Sequence, residues 1–166
     1  MSHDTHRSAY SELVDRLNRF PQGVPPSDTL YKILRILVSE REAGLIALLP
    51  IKPFTLQQAA SVWKIGQVEA LKILEDLTGR ALLVDIENNG QTTYVLPPPM
   101  AGFFEFSMMR TRGDVDQRLL AQLFYQYMNV EEEFILNLFT NGETQLGRVF
   151  VQEPMLPPET GVRVLD

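Results

Sequence analysis

Two β-rich runs, Leu82–Glu87 and Gln91–Leu96, are joined by Asn88-Asn89-Gly90. Asn and Gly both tolerate the positive φ of a tight turn, so this stretch predicts a β-hairpin and constrains everything before it. Upstream, the signals come in a fixed order. Ser39 and Glu42 have capping-box spacing and open a helix carrying Leu45, Ile46, Leu48 and Leu49 that stops near Pro50. Phe54 is a short apolar bridge. Thr55 and Gln58 form a second capping box and start a short helix, Leu56 to Trp63, with Trp63 read as core. A turn at Lys64-Ile65-Gly66 leads to a longer helix, Gln67 to Thr78, with Val68, Leu71, Leu74 and Leu77 inward. Gly79 stands where a helix end favours positive φ. Helix, short helix, turn, helix and hairpin, in that order, spell a winged helix-turn-helix over residues 39–97.

Before it, residues 1–38 read as a helical arm. Tyr10, Leu13, Val14, Leu17 and Phe20 repeat at helical spacing within Ser8 to Phe20. The connector Pro21-Gln22-Gly23-Val24-Pro25-Pro26 cannot continue a helix. Ser27 or Asp28 then caps a helix bearing Leu30, Ile33, Leu34, Leu37 and Val38. After the module, residues 98–153 read as a helical extension. Its first helix, Met100 to Met109, has proline in its first turn. Asp114 and Gln117 cap a second, and Asn129 and Glu132 cap a third, Glu131–Phe139, ended by Asn141-Gly142. Arg148–Val151 reads as a short strand and residues 154–166 as a linker. The fold class is therefore mainly α with a small β wing.

The chemistry is constrained by omission. The chain has no cysteine, so it can build no disulfide, thiolate zinc site or cysteine nucleophile. His3 and His6 are its two histidines and lie in a polar tail without a third ligand nearby, so neither a metal site nor a serine hydrolase triad is expected. Gly66 lacks the Gly-Lys-Ser/Thr chemistry of a phosphate loop. Glu131-Glu132-Glu133 point apart on a helix and suit its positive N-terminus better than acid–base work. No enzyme is predicted, and no cofactor in this chain. The longest apolar runs fall short of a membrane span, and Met1 to Arg7 lacks the apolar core of a secretory signal, so the cytoplasm is the expected compartment.

Net charge is −6, spread as +1 over residues 1–53, −2 over 54–97 and −5 over 98–166. Winged helices most often lay their second turn helix in the major groove. Here that helix offers Gln67 and Lys72, with Lys64 in the turn before it, against Glu69, Glu75 and Asp76, and the hairpin adds Asp85 and Glu87. Phosphate binding needs several unopposed cations, so a protein-contact role is favoured. DNA binding through Lys64, Gln67 and Lys72 stays as the alternative, in a regulator that dimerises through its later helices. The stretch Gly102 to Met109 has only Glu105 and Ser107 as polar residues. A helix apolar all round is buried on more than one side. Either it lies inside the fold, or Phe103, Phe104, Phe106, Met108 and Met109 meet a partner, a second copy included.

Three segments carry a resemblance: Leu17-Asn18-Arg19-Phe20-Pro21-Gln22-Gly23, Pro97-Pro98-Pro99-Met100-Ala101-Gly102-Phe103-Phe104-Glu105-Phe106-Ser107, and Leu123-Phe124-Tyr125-Gln126-Tyr127. With Gly161-Val162-Arg163-Val164-Leu165-Asp166, they resemble the front portion of a family of bacterial ferredoxin-type iron–sulfur proteins. The resemblance implies a winged-helix-like front followed by cysteine motifs that hold [4Fe–4S] clusters for electron transfer. None of those ligands maps onto a residue here, so the clusters are expected in a C-terminal part after Asp166. The expected partners are that cluster domain or a redox protein.

Overall fold

The computed structural model describes residues 8–140, which form eight α-helices, two π-helical turns and one two-stranded antiparallel sheet. Helix α1 (Ala9–Leu17) is capped by the Ser8 hydroxyl and stops at Asn18, earlier than the apolar repeat suggests. The Asn18 side chain accepts the Val24 N–H at 2.6 Å and closes the proline connector, with Gly23 supplying a positive φ of 63°. Ser27 caps α2 (Asp28–Leu37), and the full Ser39–Glu42 capping box opens α3 (Glu40–Leu48). α1 packs along α3, where Gly44 brings the backbone close to Ala9. The Thr55–Gln58 box opens α4 (Leu56–Trp63), and Lys64 in the left-handed region turns the chain into α5 (Gln67–Gly79).

Two expectations about α5 need correction. Val68 is 73% exposed, and the buried stripe is Ala70, Leu74 and Leu77. Residues 70, 74 and 77 keep the i, i+4, i+7 spacing of one helix face, and position 68 falls off it. The positive φ after the helix belongs to Ala81, at 58°, rather than to Gly79. Leu82 and Leu83 both donate to the Leu77 carbonyl there, which satisfies an orphan acceptor of the last turn.

Strands β1 (Val84–Asn88) and β2 (Gln91–Val95) pair with Val84 opposite Val95 and Asn88 opposite Gln91. Asn89 and Gly90, with φ of 50° and 73°, form a two-residue turn, and Asn88, expected in the connection, is instead the last residue of β1. On the far side of β2, Phe54 exchanges both backbone hydrogen bonds with Tyr94, at 2.9 and 2.7 Å, and their rings stack at 6.0 Å.

After the hairpin the expected helix from Met100 to Met109 is divided. A π-helical turn (Pro99–Phe103), closed by the Phe103 N–H on the Pro98 carbonyl at 2.8 Å, precedes α6 (Phe104–Met109). The prolines cost the turn no ladder bond, because the first N–H groups of a helix have no partner within it, and the Gly102 N–H is taken by the Glu105 carboxylate instead. Asp116, and not Asp114, caps α7 (Gln117–Tyr125), because Arg112 engages Asp114 in a paired contact at 3.0 and 2.6 Å. α7 runs into a second π-helical turn (Gln126–Val130). Asn129 therefore lies inside a helical turn, its side chain donating to the Tyr125 carbonyl. Glu132 takes the left-handed conformation, and α8 begins at Glu133 and runs to Thr140. His3, His6, Asn141-Gly142, Arg148–Val151 and the linker lie outside the described residues. Buried side chains from Leu13 to Phe134 form one continuous core.

Candidate functional site

The apolar stretch around α6 divides its aromatic residues between two jobs. Phe103 and Phe104 have no exposed surface, so the expectation that they meet a partner is corrected: they are core. Phe104 is the hub of an edge-to-face cluster, with ring centroids of Phe103, Phe124, Tyr127 and Phe134 at 5.9, 5.1, 6.1 and 5.9 Å. One ring thereby gathers α6, α7, the second π-turn and α8. Ser107 is also buried, and its hydroxyl donates to the Phe104 carbonyl. Phe106 and Met108 are half-buried and Met109 is 78% exposed, so these three remain available to a partner.

Phe106 and Met109 border an open groove of about 280 Å³ whose other side is the start of the hairpin, Leu83, Val84 and Asp85. Along β1, Val84 is half-buried while Asp85, Ile86 and Glu87 are exposed, Ile86 by 48%. Sequence reading treated the hairpin and the Met100–Met109 stretch as separate features and missed that they share this groove. The alternation of apolar and acidic residues in β1 was the available signal.

The residues singled out for nucleic acid are all exposed: Lys64 in its turn, Gln67 at the start of α5 and Lys72 one turn later. Their surroundings are not those of a phosphate site. Lys72 borders a groove that also holds Glu42 and Asp76. Arg41 of α3 reaches Glu69 of α5 at 3.2 Å. Arg80, the third cation of residues 54–97, is 17% exposed, contacts Asp76 at 2.6 Å and forms a close ion pair with Glu42. It also reaches the Leu37 carbonyl at the end of α2.

Glu42 is thus both half of a capping box and a structural anion. Burial pushes its carboxyl up, but the Ser39 backbone N–H and hydroxyl and the Arg80 guanidinium outweigh that and hold it below the usual carboxylate range. A depressed folded value adds stability that is complete above the unfolded value and is lost as pH falls through the folded one. Urea midpoints should therefore fall more steeply for the parent than for Glu42→Gln between about pH 6 and about pH 3. Parallel pH profiles would remove Glu42 from the acid response.

Sequence reading also missed a long-range tie. Tyr127, fully buried, donates from its hydroxyl to the Pro25 carbonyl at 2.8 Å, joining the second π-turn to the proline connector. Burial, with Glu131 and Glu133 adding to it, raises its phenol far above the ordinary value, so it stays a donor at every working pH.

Among the described residues no three His, Asp or Glu side chains converge, and the chain has no cysteine, so these residues offer no ligand set for an iron–sulfur cluster. Among them, too, no helix is long and apolar enough to cross a membrane. No protein-family model, no curated protein and no solved structure matches the chain.

Proposed function

We propose that residues 39–97 are a winged helix-turn-helix used as a protein-contact scaffold. On this reading the chain is the non-catalytic, cytoplasmic front module of a larger iron–sulfur electron-transfer protein, and it holds the cluster-bearing part or a redox partner. The element order α3, α4, α5, β1, β2 supports the fold assignment, as does the Phe54–Tyr94 bridge, which stands where a third strand would. The iron–sulfur assignment rests on the segments that resemble that family. The cysteine motifs expected after Asp166 are its check: a stop codon at that point in the gene overturns it.

One observation carries the scaffold role. Of the three cations in residues 54–97, Arg80 is already committed to Glu42 and Asp76, which leaves Lys64 and Lys72 in a stretch that also carries Glu69, Glu75, Asp85 and Glu87. Two lysines release few counterions from a duplex. Titration of a fluorescent random duplex should show no anisotropy change at physiological salt. Tight binding that weakens steeply with salt and is lost in Lys64→Glu or Lys72→Glu would put the DNA-binding regulator first.

A further inference from the structure

We propose that the free edge of β1 is a docking site for an extended segment of another protein, in which apolar and basic residues alternate. The proposal rests on the scaffold reading and names the surface that does the docking.

The hairpin geometry supplies the backbone half of the argument. A two-residue turn makes Asn88 and Gln91 a hydrogen-bonded pair, and such pairs alternate along an antiparallel ladder. Ile86–Thr93 and Val84–Val95 are then bonded pairs, whereas Asp85 and Glu87 turn their N–H and C=O groups away from β2. Tyr94, opposite Asp85, obeys the same rule from its own side, spending both backbone groups on Phe54. Among the described residues nothing bonds the outward groups of Asp85 and Glu87. Unpaired edge groups of this kind are the template for strand addition.

The side chains say what kind of strand fits. Residues that neighbour each other across a ladder stand on the same face. Val84 and Ile86 lie on one face of β1 and Asp85 and Glu87 on the other. An incoming strand meets apolar surface at every second position, extended by Phe106 and Met109 across the groove, and a carboxylate at each position between. Arg110 stands on the α6 side, so the carboxylates at the edge itself set the charge preference. Alternating apolar and Lys or Arg residues satisfy both faces. The β1 edge of a second copy does not. Pairing two β1 edges would set Asp85 and Glu87 against the same carboxylates, and like charges directly opposite are destabilising. The acidic pair thus admits a basic strand and refuses a second β1 edge.

Fluorescence anisotropy with a labelled peptide of alternating lysine and valine tests this on the full chain. Three comparisons are needed: a peptide of the same composition with lysines and valines in separate blocks, an alternating glutamate–valine peptide, and the variants Glu87→Pro and Asp85→Lys/Glu87→Lys. Glu87→Pro removes an edge donor that no contact among the described residues uses, so it should keep the parent melting temperature and bind about tenfold more weakly. The double lysine variant should reverse the preference, taking the glutamate–valine peptide on the order of tenfold more tightly than the lysine–valine one. Equal binding of alternating and block peptides, or binding indifferent to Glu87→Pro, means charge attraction alone and overturns the proposal. So does a concentration-dependent dimer in sedimentation velocity that Glu87→Pro dissolves. Failure of these peptides with no DNA binding sinks only the edge site, whereas salt-sensitive DNA binding sinks the scaffold reading beneath it.

Discussion

Phe104→Ala should lower stability by about 3–5 kcal/mol, the cost of emptying a large aromatic site that cannot fully collapse. The ring is fully buried and touches four other aromatic rings, from the π-turn before α6 to α8. Those edge-to-face contacts add to its area burial and are lost together. Because the buried residues form one cluster, the damage should be seen far from the substitution. Trp63, the single tryptophan, bonds to α3 and makes no ring contact with the Phe104 cluster, so it reports from a separate part of the core. Its fluorescence and the far-ultraviolet circular dichroism should give one coincident urea transition, shifted to lower denaturant. If Trp63 keeps the parent midpoint while helix content falls, the C-terminal helices unfold alone and the shared core does not couple them. Phe106→Ala, at a half-buried position beside the groove, should cost much less. A larger loss there than at Phe104 would reverse the division between core and surface described for this stretch.

The second large effect belongs to Trp63 itself. Its ring is 7% exposed, and its indole N–H donates to the Leu45 carbonyl at 2.8 Å. That carbonyl lies in the last turn of α3, where the Leu49 N–H bonds to Ile46 instead, so Trp63 satisfies an acceptor the helix abandons. Trp63→Ala should cost about 3–5 kcal/mol through the cavity and the orphaned carbonyl together. Trp63→Phe keeps most of the apolar contact and should cost about 1–3 kcal/mol. Urea unfolding followed by circular dichroism measures both. Equal losses would mean that the hydrogen bond carries the contact, and a phenylalanine variant as stable as the parent would mean that it contributes nothing.

Local signals were read well from the amino-acid order because their causes are local. Both capping boxes need only two residues three apart, and the Asn89-Gly90 turn needs only residues that accept positive φ. Errors arose where the deciding partner is remote. Val68 looked inward because it continues an apolar repeat, but the face is chosen by what α5 packs against, and Ala70 lies on that face. Asp114 looked like a cap until Arg112 took it, leaving Asp116 to serve. Phe103 and Phe104 could not be told from Phe106 by composition, since all three sit in one apolar run. Only the arrival of Phe124, Tyr127 and Phe134 from later helices decides which rings are interior. The β1 edge was half legible: alternation of Val84, Asp85, Ile86 and Glu87 is visible in sequence, whereas the groove against α6 is not.

The Tyr127–Pro25 hydrogen bond spans 102 positions of chain, and α2 rests against α7 in the same region. On a ribosome the early half of that contact is made long before the late half exists. At about 5–20 residues per second, the connector and the apolar side of α2 wait roughly 5–20 s for Tyr127 to be synthesised. The α3-to-hairpin segment emerges during that interval, close enough in sequence to begin packing on itself. The side of α2 that α7 later covers meanwhile stands open. The nascent chain therefore passes through a stage whose stickiest surface is its oldest, and holding that surface out of trouble falls to the cell rather than to the fold.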